Sequence, residues 1–242
     1  MAKTSPLPSI NPVSGFFLAV IAAAIALTLL ILILPSDLFL ALSNYLQILV
    51  ALSGAVVLLY SWHRAGRQPF LLYAGAGFGM WGIANIAWYA VTFMGFRNLV
   101  FPSVIDLGLV LGLILLAIAL WTGRPHEKPS PVIIIAIVLL SLCVLAAMLL
   151  AAGAGLPAAL VTFVYFVSCG FLIAGGLMFR QGCRLPLVIG VFFLGIAHMI
   201  YPIREIYLAL NPVFSIIGTI IGIGFSLVLL GLLPLCEPKA EA

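Results

Sequence analysis

Charge is what this chain has least of. Ten Lys and Arg and six Asp and Glu make up 7% of its 242 residues, where an ordinary soluble domain carries about a quarter. With 65% hydrophobic residues and a mean hydropathy of +1.36, a soluble globular domain is excluded, and the composition is that of an all-α polytopic integral membrane protein. The basic pI near 9.0 does not point to nucleic acid, because the few Lys and Arg lie in short loops between apolar runs, where they set orientation. Cysteine is scarce too: Cys143, Cys169, Cys183 and Cys236 form no CxxC pair, so neither a disulfide frame nor a zinc site is indicated.

Histidine is rarer still. Bis-histidine haem needs two imidazoles at matching depth, and the chain has His63 at a span edge, His126 in a loop and His198 inside a span. A retinal Schiff base needs a Lys within the apolar runs, and none lies there. No HExxH, GxSxG or P-loop pattern occurs, no divalent metal finds three convincing ligands, and no cofactor is expected. A hydrolytic triad of Ser103, Asp106 and His198 can be drawn, but nothing in the spacing brings Ser103 to His198. The chain therefore reads as a protein without catalysis of its own.

What is present is long apolar runs, cut at Pro, Gly and charge clusters into eight spans: 14–34, 38–61, 69–94, 103–121, 132–152, 157–179, 186–209 and 212–234. The first is too long for a signal-peptide core and is followed by Pro35-Ser36-Asp37, so it reads as a retained helix. Loops are short throughout, and the expectation is a chain with no kinase, cyclase or ATPase domain of its own. Lys3, Arg64, Arg67, Arg124, Lys128, Arg180, Arg184 and Lys239 fall on the side of both termini, whereas the opposite side has Arg97 alone, with Arg204 inside a span. The positive-inside rule then puts both termini in the cytoplasm of a cell-membrane protein.

The polar stretch 122–131 divides the chain into two four-helix halves, 1–121 and 132–242. The halves share features in order: Arg64-x-Gly66-Arg67-x-Pro69 returns as Arg180-x-Gly182-x-Arg184-x-Pro186, and Gly82-Ile83-Ala84-Asn85 as Gly195-Ile196-Ala197-His198. Pro102, Gly108 and Gly112 return at one offset as Pro212, Gly218 and Gly222. An internal duplication into parallel repeats is expected, because four helices separate equivalent positions.

Ionisable side chains inside such runs cost at least ~2.5–3.5 kcal/mol on insertion scales, so they mark a protein interior, a partner or water. The seventh span holds His198, Tyr201, Arg204 and Glu205; His198, Tyr201 and Glu205 share a helical face, and Arg204 points about 100° away from Glu205. Pro202 cannot donate to the His198 carbonyl and is expected to bend the helix there. The third span carries Trp81, Asn85, Trp88, Tyr89 and Thr92 on one face. The fourth opens Pro102-Ser103-x-x-Asp106, with a carboxylate in the first turn, where it can cap the helix or pair with Arg97. Asn85, Trp88, Tyr89, Asp106, His198, Tyr201, Arg204 and Glu205 all fall in the outer half or near mid-depth, and together form the candidate lining of one extracytoplasmic pocket for a small or lipidic ligand.

The segment Ala74-Gly-x-Gly-x-x-x-Trp81-x-Ile-Ala-Asn85-x-x-Trp88-Tyr89, followed by Phe101-Pro102-Ser103-x-x-Asp106, resembles the multi-helix membrane sensory region at the N-terminus of many archaeal and bacterial histidine kinases and diguanylate cyclases. The resemblance implies that Trp81, Trp88, Pro102, Ser103 and Asp106 are its functional or structural positions. Asn85 stands where that family has an acidic residue, and the expectation is a stand-alone copy without that family's output domain. The leading expectation is thus a membrane sensor that acts through a protein partner in the membrane or at its cytoplasmic face. A small-molecule or proton-coupled transporter, or an assembly subunit of a larger membrane complex, are the other readings.

Overall fold

The structure, a computed structural model, describes residues 12–33, 37–64, 67–93, 101–123, 130–150, 155–179, 184–207 and 216–236. Among them the fold is all-helical: α1 (Pro12–Ile33), α2 (Asp37–Arg64), α3 (Pro69–Phe93), α4 (Val104–Thr122), α5 (Pro131–Leu150), α6 (Leu156–Met178), α7 (Arg184–Tyr207) and α8 (Ile217–Leu232), the last closed by a 3-10 turn, Leu233–Leu235. All eight helices are long and apolar enough to cross a bilayer, as a multi-pass membrane protein requires. The punctuation follows the sequence. Pro12, Pro69 and Pro131 open α1, α3 and α5, and Pro157 lies in the first turn of α6, positions where the missing N–H costs no intrahelical bond.

Six helices close into a ring, each packed on the next in the order α2, α3, α4, α6, α7, α8 and back to α2. Exchanging α2, α3 and α4 with α6, α7 and α8 leaves that order unchanged. Chain neighbours in the ring run antiparallel, whereas α4 with α6, and α8 with α2, run parallel. Trp121 of α4 therefore meets Phe171 of α6 at one end, and Asp106 meets Tyr165 at the other. The peripheral helices are seated differently. α1 packs on both α8 and α2, while α5 rests on α6 and buries only Ser141 and Met148.

Two glycine pairs set the closest helix approaches. A Cβ on Gly77 of α3 would stand 2.8 Å from the Gly112 carbonyl oxygen of α4, and one on Gly190 of α7 would stand 2.8 Å from that of Gly224 on α8. Small residues of this kind let backbones meet where lipid supplies no hydrophobic drive. Gly218 and Gly222, which the constant offset sets beside Gly108 and Gly112, face α2 through Ser43, Asn44 and Gln47, whereas Gly108 and Gly112 face α3.

The two ends of the bundle differ in chemistry. The proximal end, where α1 begins and α8 finishes, is filled by Phe70, Leu58, Leu71, Phe179, Leu187 and Leu232. The distal half, where α1 meets α2 and α3 meets α4 along the chain, holds the larger buried polar side chains, Gln47, Asp106 and His198, together with Ser43, Thr162 and Thr219, whereas the remaining buried polar groups, Ser61, Ser141, Ser168 and Ser226, are all serines.

Candidate functional site

The polar groups of the distal half form two clusters. The first crosses the ring. Trp81 of α3 is buried, and its indole N–H donates to His198 Nε2 of α7 over 2.8 Å. An indole only donates, so Nε2 must accept, and His198 Nδ1–H donates to the Leu194 carbonyl at 2.8 Å. The imidazole is thus in its Nδ1–H tautomer with both nitrogens used. Its ring lies near-parallel to Tyr165 of α6, centroids 6.4 Å apart and planes at 18°, and Tyr165 in turn touches Tyr201 at 5.8 Å.

The seam continues into Asp106. Ser103 caps α4 in a full capping box: its backbone N–H and its hydroxyl donate to Asp106 Oδ2 at 2.6 and 2.8 Å, and the Asp106 N–H returns to Ser103 Oγ at 3.4 Å. The other carboxylate oxygen, Oδ1, accepts from the Tyr201 hydroxyl at 2.9 Å, and the Tyr165 hydroxyl reaches the Asp106 backbone carbonyl at 3.5 Å. One acidic side chain, 3% exposed, therefore both starts α4 and ties it to α7. Trp81 and Asp106 come from the first half of the chain; Tyr165, His198 and Tyr201 come from the second.

The second cluster joins α2, α3, α1 and α8. Gln47 Nε2–H donates to Asn44 Oδ1 at 2.6 Å, and Asn44 Nδ2–H donates to the Tyr89 hydroxyl at 2.9 Å. The Tyr89 ring packs on Tyr45, centroids 5.1 Å apart. Thr28 of α1 donates to Thr219 of α8 at 2.7 Å. Gln47 Oε1 is buried without a hydrogen-bond partner in the structure.

The expected single lining is therefore divided. Asp106, His198 and Tyr201 meet, with Trp81 and Tyr165. Tyr89 joins the α2 cluster, Trp88 packs edge-on against it at 5.8 Å, and Asn85 turns back to donate to the Trp81 carbonyl at 3.1 Å. The stripe on α3 splits because Trp81 and Tyr89, eight residues apart, differ by about 80° around the helix, enough to face α7 and α2 respectively. α7 runs through Pro202 to Tyr207, but the side chains of Arg204 and Glu205 lie outside the described residues, as do those of Thr92 and Arg97. Asp106 thus caps its helix, as its first-turn position suggested, and serves a second helix as well.

Sequence reasoning missed Ser43, Asn44, Gln47 and Tyr165. The α2 residues had a readable signal, three hydrogen-bonding side chains at i, i+1 and i+4 within an apolar span. Tyr165, one aromatic among apolar neighbours on α6, had none. The seam forms no hydrolytic relay, since Ser103 Oγ is bonded to Asp106 and both His198 nitrogens are engaged elsewhere. Among the described residues no group of three His, Cys, Asp or Glu could hold a metal ion.

The Trp81 to His198 bond is directly testable. A double-mutant cycle of Trp81→Phe and His198→Phe, read by unfolding of the full chain in mild detergent, should return a coupling of about 0.6 kcal/mol and not above about 1.7, the span found for interhelical bonds in membranes. Strict additivity would mean that the two rings do not interact.

Comparison with protein-family models, with curated proteins and with solved structures returns no match.

Proposed function

We propose that this protein is a non-catalytic membrane sensor whose two halves are latched across the distal seam, and that a small or lipidic ligand arriving from the extracytoplasmic side resets the latch. The observation that carries the reading is the Tyr201 hydroxyl on Asp106. It joins the start of α4 to the last turns of α7, so any displacement of α7 is felt at the cap of α4 and along the ring. A sensor needs such a two-state element, biased by its ligand. The resemblance of the Trp81 to Asp106 segment to the membrane region of sensory kinases and cyclases supports the same reading. The output then passes to a partner protein on the cytoplasmic side. Arg64 and Arg67, at the proximal end of α2 and the start of α3, agree with an orientation that keeps that end in the cytoplasm.

The test compares the native host carrying Tyr201→Phe or Asp106→Asn with the host lacking the chain. Both variants should insert at wild-type abundance and reproduce most of the transcript changes caused by deletion. If deletion changes the profile and both variants leave it at wild type, the latch is not the sensing element.

A carrier is the second reading, favoured by the two parallel junctions, which divide the ring into bodies α2–α4 and α6–α8 able to rock against each other. Vesicles reconstituted with the full chain separate the two: substrate-linked proton flux abolished by Glu205→Gln favours a carrier.

A further inference from the structure

The two parallel junctions of the ring are finished differently. The groove between α8 and α2 is filled by α1, which buries Phe17, Val20 and Ala24 there. The corresponding groove between α4 and α6 is left open, because α5 lies on the outer flank of α6, where Ile137 covers Gly170. The result is a cleft of about 300 Å³ lined by Ile114, Ala117, Ile118 and Trp121 of α4 and by Val164, Val167, Ser168 and Phe171 of α6. Its walls are held at both ends. Trp121 N–H donates to the Phe171 carbonyl at 2.8 Å on the proximal side, and Tyr165 reaches the Asp106 carbonyl on the distal side.

We infer that this cleft is a binding site for one acyl chain of a phospholipid in the proximal leaflet. Nothing polar in it is free to select a headgroup or a water-soluble ligand, since the Ser168 hydroxyl donates to the Val164 carbonyl at 2.7 Å and the Trp121 N–H is spent on Phe171. Its mouth passes Ile118 and Val164, both exposed, toward the hydrocarbon. Length and volume decide between a lipid chain and a helix. From Ile114 to Trp121 the cleft runs about 10 Å at 1.5 Å per residue, less than the depth of one leaflet of a core ~30 Å thick. A helix about 10 Å across could rest only over the mouth of a cleft this small, whereas a chain of roughly ten methylenes fits inside a small apolar pocket of this size. Trp121 stands at the proximal rim, the depth at which tryptophan meets headgroups.

The site is independent of the sensor reading and is tested without it. The full chain is reconstituted in palmitoyl-oleoyl phosphatidylcholine, extracted in mild detergent and weighed by native mass spectrometry after the loosely held lipid has been exchanged away. Wild type and Ile133→Phe, a control on the lipid side of α5, should each retain one phospholipid per chain. Ala117→Phe, which fills the wall, and Ile118→Phe, which narrows the mouth from an exposed position and so spares the fold, should each lower that retention at least fivefold. Wild type without retained lipid, or equal retention in Ile118→Phe, overturns the assignment. So does a dimer mass that Ile118→Phe abolishes, which gives the cleft to a second copy of the chain.

Discussion

Asp106→Ala is expected to lower the stability of the full chain by about 2 kcal/mol, more than either of its partners' variants alone. The carboxylate does two separable things. As the return arm of the capping box with Ser103 it secures the start of α4, a contribution of typically ~1 kcal/mol. As the acceptor for Tyr201 it makes an interhelical bond worth about 0.6 kcal/mol on average and up to about 1.7 in a bilayer. Ser103→Ala should therefore show only the first loss and Tyr201→Phe only the second, each read as a shift in the unfolding midpoint in detergent. The decisive quantity is the coupling in the Asp106→Ala, Tyr201→Phe cycle. A value of about 0.6–1.7 kcal/mol means that capping of α4 and the position of α7 are linked through one side chain. A value indistinguishable from zero would falsify the latch, because Asp106 would then be a cap and no more.

That double role also shows where reading the sequence stopped. The eight spans were legible because hydropathy and proline punctuation are local, and the boundaries that fall on described residues lie within about three residues of the helix found, while the expected ends at 34, 94, 152, 209 and 212 lie outside the described residues. The convergence of His198, Tyr201 and Asp106 was legible as common depth, since each is a polar group too costly to leave in lipid. Which of the equally deep groups meet was not, because that depends on ring order. Nothing in α3 alone says that Trp81 faces α7 while Tyr89 faces α2. The matched motifs of the two halves were likewise only partly informative. Asn85 and His198 each follow a Gly-Ile-Ala triplet, yet His198 crosses the ring to Trp81 while Asn85 bonds to its own helix. Gly222 stands opposite Gly112 by offset, but Gly224 makes the equivalent close approach to α7. A shift of two residues along α8 turns a different face toward the neighbour, and apolar sequence carries no mark of it.

Gly190→Ala should be the most damaging of the conservative glycine substitutions, and Gly79→Ala should be harmless. A Cβ at Gly190 would lie 2.7 Å from the Val228 backbone nitrogen and 2.8 Å from the Gly224 carbonyl oxygen. Both are main-chain atoms of α8, so no rotamer change relieves the clash and the two helices must part. Overpacking of that kind costs about 1–3 kcal/mol, against a gain of up to about 1 kcal/mol from the better helix propensity of alanine. At Gly79 the nearest atom to an added methyl is Ala55 Cβ at 3.6 Å, ordinary contact, so only the propensity gain remains and the variant should match or exceed wild type. Unfolding of both variants in the same detergent gives the comparison. Moving α7 away from α8 also moves the helix that carries His198 and Tyr201. Gly190→Ala should therefore weaken the Trp81 to His198 coupling as well as the midpoint, whereas Gly79→Ala should leave that coupling untouched. Equal tolerance at both glycines would mean that α7 does not approach α8 this closely, and the seam would lose the contact that positions one of its sides.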